Sequence, residues 1–187
     1  MKNPKVDFSK YRTLFLDRDG VINRRLPAAY VTSVNEFQIF EGALEAIAQF
    51  TNQFDYVFIV TNQAGIGKGL MTTENLEEVH AHLLTKVENA GGQIDAIYHC
   101  PKRKEENADC RKPNSGMALQ AQHDFPDIDF ETSIMVGDSW SDMEFGKRLG
   151  MLTVLIAGKE EEKELMESYE VNERFLSLIE FAEKIVE

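Results

Sequence analysis

The chain has 187 residues, of which 32 are acidic and 20 basic, so its formal net charge at pH 7 is −12. This length suits a sizeable hydrophobic core, and we expect residues 1–187 to form a single domain. The acidic balance argues against nucleic-acid and anionic-membrane partners, which need a basic surface, and no run approaches the roughly 20 apolar residues of a membrane span.

The elements predicted in chain order are strands that alternate with helices. Apolar runs predict strands at residues 13–16, 56–60, 94–98, 133–136 and 153–156. Amphipathic periodicity predicts helices at 41–50, 73–87, 115–123 and 139–149, followed by an acidic helix near 160–164 and an amphipathic helix over 175–186. This order predicts an α/β fold, a doubly wound, Rossmann-like parallel sheet of about five strands in three layers, with no large cap domain.

The first predicted strand ends in two aspartates, Asp17 and Asp19, followed by Gly20. Open α/β sheets bind ligands at the carboxyl ends of their strands, and residues two apart in a strand share one face. Two carboxylates in one crevice repel each other unless a cation lies between them. For this motif taken alone, a polar turn that closes the strand is the alternative.

The second predicted strand leads into a glycine-rich segment that could hold an anion. Thr61, Asn62, Gln63 and Ala64 open this segment and offer a hydroxyl, two amides and exposed backbone N–H groups. Taken alone the signal is weak, because glycine-rich loops are common and this one lacks the spacing of a Walker nucleotide loop.

Two further groups follow the third and fourth predicted strands. Arg111 and Lys112 come after the third strand and a polar segment, and Asp138, Ser139 and Asp142 come after the fourth. Each has a structural alternative, since exposed basic pairs are ordinary and acidic residues favour helix N-termini.

Together the four groups predict a phosphoryl-transfer site. Asp17, Asp19 and Asp138 form a set of hard oxygen ligands suited to magnesium, which leaves room for water and phosphate. Lys112 and Thr61 would then face a phosphoryl group. The sequence shows no evident Ser-His or Cys-His arrangement, so a carboxylate is the expected nucleophile and an aspartyl-phosphate the expected intermediate.

These segments resemble, in this order, the four motifs of the haloacid dehalogenase superfamily of phosphatases. The segments are Phe15-Leu16-Asp17-Arg18-Asp19-Gly20-Val21, Val60-Thr61-Asn62-Gln63, Arg111-Lys112-Pro113 and Val136-Gly137-Asp138-Ser139. Within the superfamily the chain is similar to the family of D-glycero-D-manno-heptose 1,7-bisphosphate phosphatases and to the related histidinol-phosphate phosphatases. This closer similarity rests on the segments Gly20-Val21-Ile22-Asn23, Tyr30-Val31, Thr61-Asn62-Gln63-Ala64-Gly65-Ile66 and Cys110-Arg111-Lys112-Pro113.

The resemblance implies a role for each motif residue. Asp17 would be the nucleophile, Asp19 would protonate the leaving oxygen and then deprotonate the hydrolytic water, and Thr61 and Lys112 would hold the phosphoryl group. The implied substrate-binding residues are Asn62, Gln63, Ala64, Arg111 and Lys112. The implied magnesium ligands are Asp17, the Asp19 carbonyl and Asp138, supported by Ser139 and by Asp142, which would position Lys112.

The implied activity is magnesium-dependent removal of the C7 phosphate of heptose 1,7-bisphosphate, in the synthesis of nucleotide-activated heptose for lipopolysaccharide. The expected partner is a small phosphorylated sugar, and the expected protein is a cytoplasmic monomer. A histidinol-phosphate phosphatase and a non-catalytic phosphosugar-binding protein remain alternatives. Because Asp19 must carry a proton, we expect its surroundings to raise its pKa above the usual value of about 3.9.

One departure from the family concerns the segment before Arg111. The family commonly folds this segment around structural zinc with a Cys-x-His and a Cys-x-Cys pair, whereas this chain has Cys100-Pro101-Lys102 and Ala108-Asp109-Cys110. Two of the four ligands are therefore absent, and a structural zinc site needs all four. We expect no zinc, and free thiols at Cys100 and Cys110.

The histidines give no signal of chemistry in the sequence. His80 and His82 are two apart on a predicted helix and do not share a face, and His123 ends another helix. We expect ordinary structural roles for all three.

Overall fold

A computed structural model describes residues 6–26, 29–157 and 162–186. Within these ranges the fold centres on a six-stranded sheet whose strand pairs are all parallel. The strands are β1 Thr13–Leu16, β2 Tyr56–Asn62, β3 Ala96–Cys100, β4 Ser133–Gly137, β5 Leu152–Ile156 and β6 Glu173–Phe175. Their order across the sheet is β3-β2-β1-β4-β5-β6, which confirms the doubly wound parallel fold and adds one strand to the five expected.

The helices cover both faces of the sheet. They are α1 Ala43–Gln53, α2 Ala64–Gly67, α3 Thr73–Asn89, α4 Gly116–Asp124, α5 Trp140–Arg148, α6 Lys163–Ser168 and α7 Leu178–Val186. Short 3-10 helices lie at Phe8–Lys10, Val34–Glu36, Lys104–Glu106 and Phe130–Thr132. Two residues of the predicted acidic helix, 160 and 161, lie outside the described residues.

The central strands are buried on both sides, as their unbroken apolar sequences predict. Because side chains alternate along a strand, Leu14 and Leu16 of β1 pack with α1, α3 and α7, while Phe15 packs with α4 and α5 on the other face. None of the described helices combines the length and apolar character that crossing a bilayer would require.

The strand order places a crevice at the carboxyl ends of β1 and β4. The chain leaves β1 towards β2 on one side, and β4 lies on the other side, which is the switch point where open α/β sheets bind ligands. Between β1 and α1 the described residues form the 3-10 helix Val34–Glu36 and the isolated β-bridges Asp19–Asn23 and Asn23–Ile39, and between α2 and α3 they form a turn. No large cap domain therefore covers this edge in the described part of the chain.

The expectation of free thiols is wrong. Cys100, the last residue of β3, forms a disulfide with Cys110, and their Cα atoms lie 5.4 Å apart. The segment between them leaves the sheet, forms the 3-10 helix Lys104–Glu106, and returns to the end of β3, which brings the two sulfur atoms together. Sequence spacing alone does not show this return. The bonded sulfurs are not thiolates in this state, and the absence of zinc stays a prediction.

Candidate active site

Three buried carboxylates converge where β1 and β4 end. Asp17 follows β1 directly and its N–H donates to the Val136 carbonyl of β4, 2.9 Å away, so Asp17 and Asp138 leave adjacent strands side by side. Asp142 joins them from the first turn of α5. Among the described residues these three each place an oxygen within 4.8 Å of the others. We call Asp17, Asp138 and Asp142 the carboxylate cluster.

Lys112 is the buried cation at the inner side of this cluster. Its Nζ lies 2.9 Å from Asp17 Oδ1 and 2.7 Å from Asp142 Oδ1, and it donates to the Val60 carbonyl at 2.6 Å. Asn62 fixes the backbone of Lys112 through two reciprocal hydrogen bonds, each 3.1 Å. Burial alone would lower the pKa of Lys112, but the carboxylates of Asp142 and Asp17 raise it, so the ammonium stays charged.

Asp142 supports Lys112 and is itself held by Ser139. Its Oδ2 accepts the Ser139 N–H at 3.1 Å and the Ser139 hydroxyl at 2.5 Å, while its Oδ1 faces Lys112. Burial raises the pKa of Asp142, but Lys112 and Ser139 outweigh it and hold that pKa below its usual range. The geometry therefore places Asp142 beside Lys112, at the inner side of the cluster.

Arg25 bridges the other two carboxylates. It donates to both oxygens of Asp138, at 2.7 and 2.6 Å, and its Nη2 lies 3.4 Å from Asp17 Oδ2. No sequence motif predicts this contact, which joins residues 113 positions apart. A cation thus lies between the carboxylates that the motifs assign to magnesium.

The donor set of the cluster fits a divalent cation. Burial and the neighbouring carboxylates raise the pKa of Asp138 to about 6, although Arg25 opposes them. Burial also raises the pKa of Asp17, against the effect of Lys112. In both cases burial is the main cause, so the protein alone does not fully stabilise these two carboxylates. All the donors are hard oxygens of the kind that magnesium selects. Gly20 leaves the approach open, because a Cβ at this position would overlap the Asp138 carboxylate.

Asp19 lies in a different environment, although it is only two residues from Asp17. Arg18 Nη2 donates to both of its oxygens at 2.9 Å, Asn23 Nδ2 donates to Oδ1 at 2.9 Å, and Gln63 Nε2 donates to Oδ2 at 2.7 Å. Gln63 also donates to the Thr61 hydroxyl at 2.8 Å. We call Arg18, Asn23 and Gln63 the Asp19 cage.

The cage overturns one expectation. Burial would raise the pKa of Asp19, but Arg18, Asn23 and Gln63 together lower it below its usual value. The expected upward shift is therefore wrong for this state of the protein, since every donor in the cage stabilises the carboxylate. At neutral pH Asp19 is therefore a carboxylate in this state.

Arg18 is fully buried and connects Asp19 to His80. Its Nη1 lies 3.0 Å from His80 Nε2, and its guanidinium carbon lies 5.7 Å from the centre of the Phe37 ring. Burial and the nearby Arg18 charge lower the pKa of His80 to about 3, so the imidazole is neutral and its Nε2 accepts the hydrogen bond.

Sequence reasoning missed this contact, although a signal existed. His80 lies on the apolar stripe of α3, four residues after Leu76 and three before Leu83, and such a position is buried. A polar side chain on a buried stripe needs a partner, and in this protein the partner is Arg18.

A polar cavity of about 190 Å³ brings most of the sequence-predicted residues together. Its lining consists of Asp17, Asp19, Arg25, Tyr30, Thr61, Asn62, Ala64, Arg111, Lys112, Ser139, Ser141 and Asp142. Two predicted residues do not line the cavity but contact residues that do. Gln63 bonds Asp19 and Thr61, and Asp138 is covered by Arg25.

Residues 109–178 match the HAD-hydrolase-like family model. A Mycobacterium bovis protein named D-glycero-alpha-D-manno-heptose-1,7-bisphosphate 7-phosphatase is 40% identical over 131 residues, 70% of this chain and 69% of that protein. The chain belongs to the haloacid dehalogenase superfamily of phosphatases.

Two further relatives cover nearly the whole chain. A Neisseria meningitidis D-glycero-beta-D-manno-heptose-1,7-bisphosphate 7-phosphatase is 35% identical, with 94% of this chain and 95% of that protein aligned. The D,D-heptose 1,7-bisphosphate phosphatase of B. bronchiseptica, solved with magnesium and phosphate, has a TM-score of 0.85 and 31% identity over 94% of this chain and 98% of its own. Phosphatases of this superfamily use magnesium, and the buried carboxylate cluster of this phosphatase could hold such an ion.

Proposed function

We propose that this phosphatase removes the C7 phosphate of D-glycero-D-manno-heptose 1,7-bisphosphate through an aspartyl-phosphate formed on Asp17. The observation that carries the proposal is the position of Asp17, which lines the cavity with Oδ1 2.9 Å from Lys112 Nζ and with Asp138 alongside. A carboxylate that a buried lysine holds in place at a polar cavity can attack the phosphorus of a phosphate bound there.

The residues around Asp17 would share the charge of the reaction. Magnesium, held by Asp17, Asp138 and the Asp19 carbonyl, would neutralise phosphoryl charge as a Lewis acid. Lys112 faces the same phosphoryl oxygens from the inner side, and the Thr61 hydroxyl can donate to them, since it accepts its hydrogen bond from Gln63. Positioned donors of this kind stabilise developing charge without reorganisation.

Asp19 would move the protons. In its cage it is a carboxylate suited to accept a proton from the water that hydrolyses the aspartyl-phosphate. To act first as an acid it must be protonated, and a phosphate dianion in the same cavity raises the pKa of a neighbouring carboxyl group. Substrate binding therefore would prepare Asp19 for protonation of the leaving oxygen.

The surroundings of the cavity favour a substrate with additional negative charge. A larger cavity of about 650 Å³ adjoins it and shares Asn62, Arg111, Lys112 and Ser141 with it. Lys104, Arg148 and Trp140 also line this second cavity, and Glu162 is its one acidic residue among those described. Cations suit the second phosphate of a bisphosphate, and an aromatic face suits a sugar ring.

The two alternatives differ from the proposal in charge or in chemistry, and the second disagrees with the phosphatase family to which the chain belongs. Histidinol phosphate carries a cationic amine, which the basic second cavity would repel. A non-catalytic phosphosugar-binding protein would not need Asp17, Lys112 and Asp19 around one cavity. A place in the synthesis of nucleotide-activated heptose for lipopolysaccharide, a monomeric state and a cytoplasmic location belong to this proposal and rest on the resemblance.

The proposal is tested by comparing kcat/KM for heptose 1,7-bisphosphate and histidinol phosphate, with and without magnesium. We expect the bisphosphate to be preferred by roughly 100-fold or more, as a difference in paired charges allows, and activity to be lost with a chelator. Equal rates for the two substrates would contradict the substrate assignment. Undiminished activity without divalent metal would contradict the role of the carboxylate cluster.

A further inference from the structure

The buried pair of Arg18 and His80 lies outside the cavity lining, and His80 has no role in the chemistry described so far. Arg18 is fully buried, between the two motif aspartates in sequence, and its Nη2 holds both oxygens of Asp19. Its Nη1 is satisfied by a neutral imidazole, His80 Nε2, at 3.0 Å. A buried cation is costly unless its donors are paired. Because Arg18 Nε has no hydrogen-bond partner among the described residues, the guanidinium depends on its contacts with Asp19 and His80.

We propose that His80 is a positioning residue for Asp19 and acts through Arg18. The inference rests on the proposed acid–base role of Asp19. His80 anchors one end of the guanidinium on the rigid helix α3, and the other end fixes the Asp19 carboxylate at the edge of the cavity. The planar fork of arginine transmits this orientation because its donors have a fixed geometry.

The surroundings restrict Arg18 to this arrangement. Phe37 lies 5.7 Å from the guanidinium carbon, and the ring of His99 lies 6.2 Å from that of His80. Both neighbours pack around the pair, and Asp19 is the carboxylate that Arg18 contacts among the described residues. Loss of the His80 acceptor would leave Nη1 buried without a partner, so the guanidinium would shift and Asp19 with it.

The test compares two substrates whose leaving groups differ in their need for a proton. The comparison distinguishes a misplaced general acid from general structural damage, which would slow both substrates. An alkyl phosphate needs protonation of its leaving oxygen, whereas 4-nitrophenyl phosphate has a stable leaving anion and does not. The ratio of kcat/KM for the two substrates reports only the steps through leaving-group departure. We expect His80→Leu to lower kcat/KM for heptose 1,7-bisphosphate by roughly 10- to 100-fold, part of what a general acid contributes, and for 4-nitrophenyl phosphate by less than about threefold.

Conservative rescue provides the second readout. In His80→Gln the side-chain amide oxygen can accept from Arg18 as the imidazole does, so we expect both rates within about threefold of wild type. His82→Leu is the matched control, because this half-buried histidine two positions along α3 contacts Phe37 by a ring edge and not Arg18. It should leave the ratio unchanged.

Two results would overturn the proposal: an equal fall for both substrates in His80→Leu, or equal behaviour of His80→Gln and His80→Leu. If His80→Leu does not fold, the double variant Arg18→Met with His80→Leu removes donor and acceptor together, and a wild-type ratio there also overturns it. If wild type does not hydrolyse heptose 1,7-bisphosphate, the proposed function fails alone, and the same ratio is measured with another primary alkyl phosphate that wild type does hydrolyse.

Discussion

The carboxylate cluster and the Asp19 cage begin two residues apart in one motif, yet the pKa values of their aspartates shift in opposite directions. In the cluster, Asp17 and Asp138 have raised pKa values because burial and like charge outweigh Lys112 and Arg25. In the cage, Asp19 has a lowered pKa because its donors outweigh burial. The first region needs an added cation, whereas the second carries its own in Arg18.

This difference explains how two identical side chains can do different work. A carboxylate that lies among other carboxylates attracts a metal and can attack phosphorus beside it. A carboxylate surrounded by N–H donors is a proton acceptor that becomes an acid only when a further anion arrives. The experiments below test that division, from the largest expected effect to the smallest.

Replacement of the cluster nucleophile should have the largest effect. We expect Asp17→Asn to lower kcat by roughly 10⁴-fold or more with both alkyl and aryl phosphates, because no attack on phosphorus remains. Steady-state rates and circular dichroism check the loss and the retained fold. Asp19→Asn is the contrasting variant, and it should still allow one turnover of 4-nitrophenyl phosphate. Retained turnover in Asp17→Asn would contradict the assignment.

Removal of the cluster's own cation should destabilise the protein. Lys112→Met leaves Asp17 and Asp142 buried without their partner, which typically costs about 3 to 5 kcal/mol. Urea unfolding measures the change. The matched control is Arg12→Met at the exposed Arg12–Asp55 pair, where the loss should be about 1 kcal/mol or less. Equal losses of unfolding free energy in the two variants would show that burial does not make the Lys112 ion pairs more important for stability than an exposed pair.

The cage side should show its own pH dependence through His80. The pKa of His80 is about 3 in the fold against 6.5 unperturbed. Its contribution is therefore complete above pH 6.5 and is lost as the pH falls from 6.5 towards 3, because only the unfolded chain takes up the proton. Between pH 7.5 and 5 the stability of wild type should fall about 2 kcal/mol further than that of His80→Gln. Parallel pH profiles from urea unfolding would show that His80 titrates normally.

The smallest effect concerns the competition between Arg25 and an added ion. Arg25 bridges Asp138 and Asp17, and its side chain is 38% exposed. Magnesium bound by these oxygens would have to displace Arg25, so we expect Arg25→Gln to tighten magnesium binding by roughly fivefold, the scale of a partly exposed ion pair. Calorimetric titration of the metal without substrate measures this. Weaker binding in the variant would mean that Arg25 helps to hold the ion.

The sequence predicted the cluster better than the cage, for a physical reason. Alternation of strands and helices predicted a parallel sheet, and parallel strands have their carboxyl ends at one edge, so Asp17 and Asp138 were expected at the same edge. The cage depends on side chains that cross from a strand end to α3, as in the contact of Arg18 with His80. No spacing rule predicts such a contact.

Two other misses have local causes. Strand β6, Glu173–Phe175, has three residues and no apolar run, and its place at the sheet edge comes from pairing with β5. The disulfide between Cys100 and Cys110 depends on the path of the intervening segment, which has no periodic pattern. Both features are set by tertiary packing rather than by local sequence.

The division between Asp17 and Asp19 is tested most directly by locating the phosphoryl group on the enzyme. Asp19→Asn, which lacks the base for hydrolysis of the intermediate, is mixed with 4-nitrophenyl phosphate and magnesium, quenched in acid, digested and mapped by mass spectrometry. We predict one phosphorylated residue, Asp17. A phosphoryl group on another residue, or a burst of 4-nitrophenol with no phosphorylated peptide, would contradict the account.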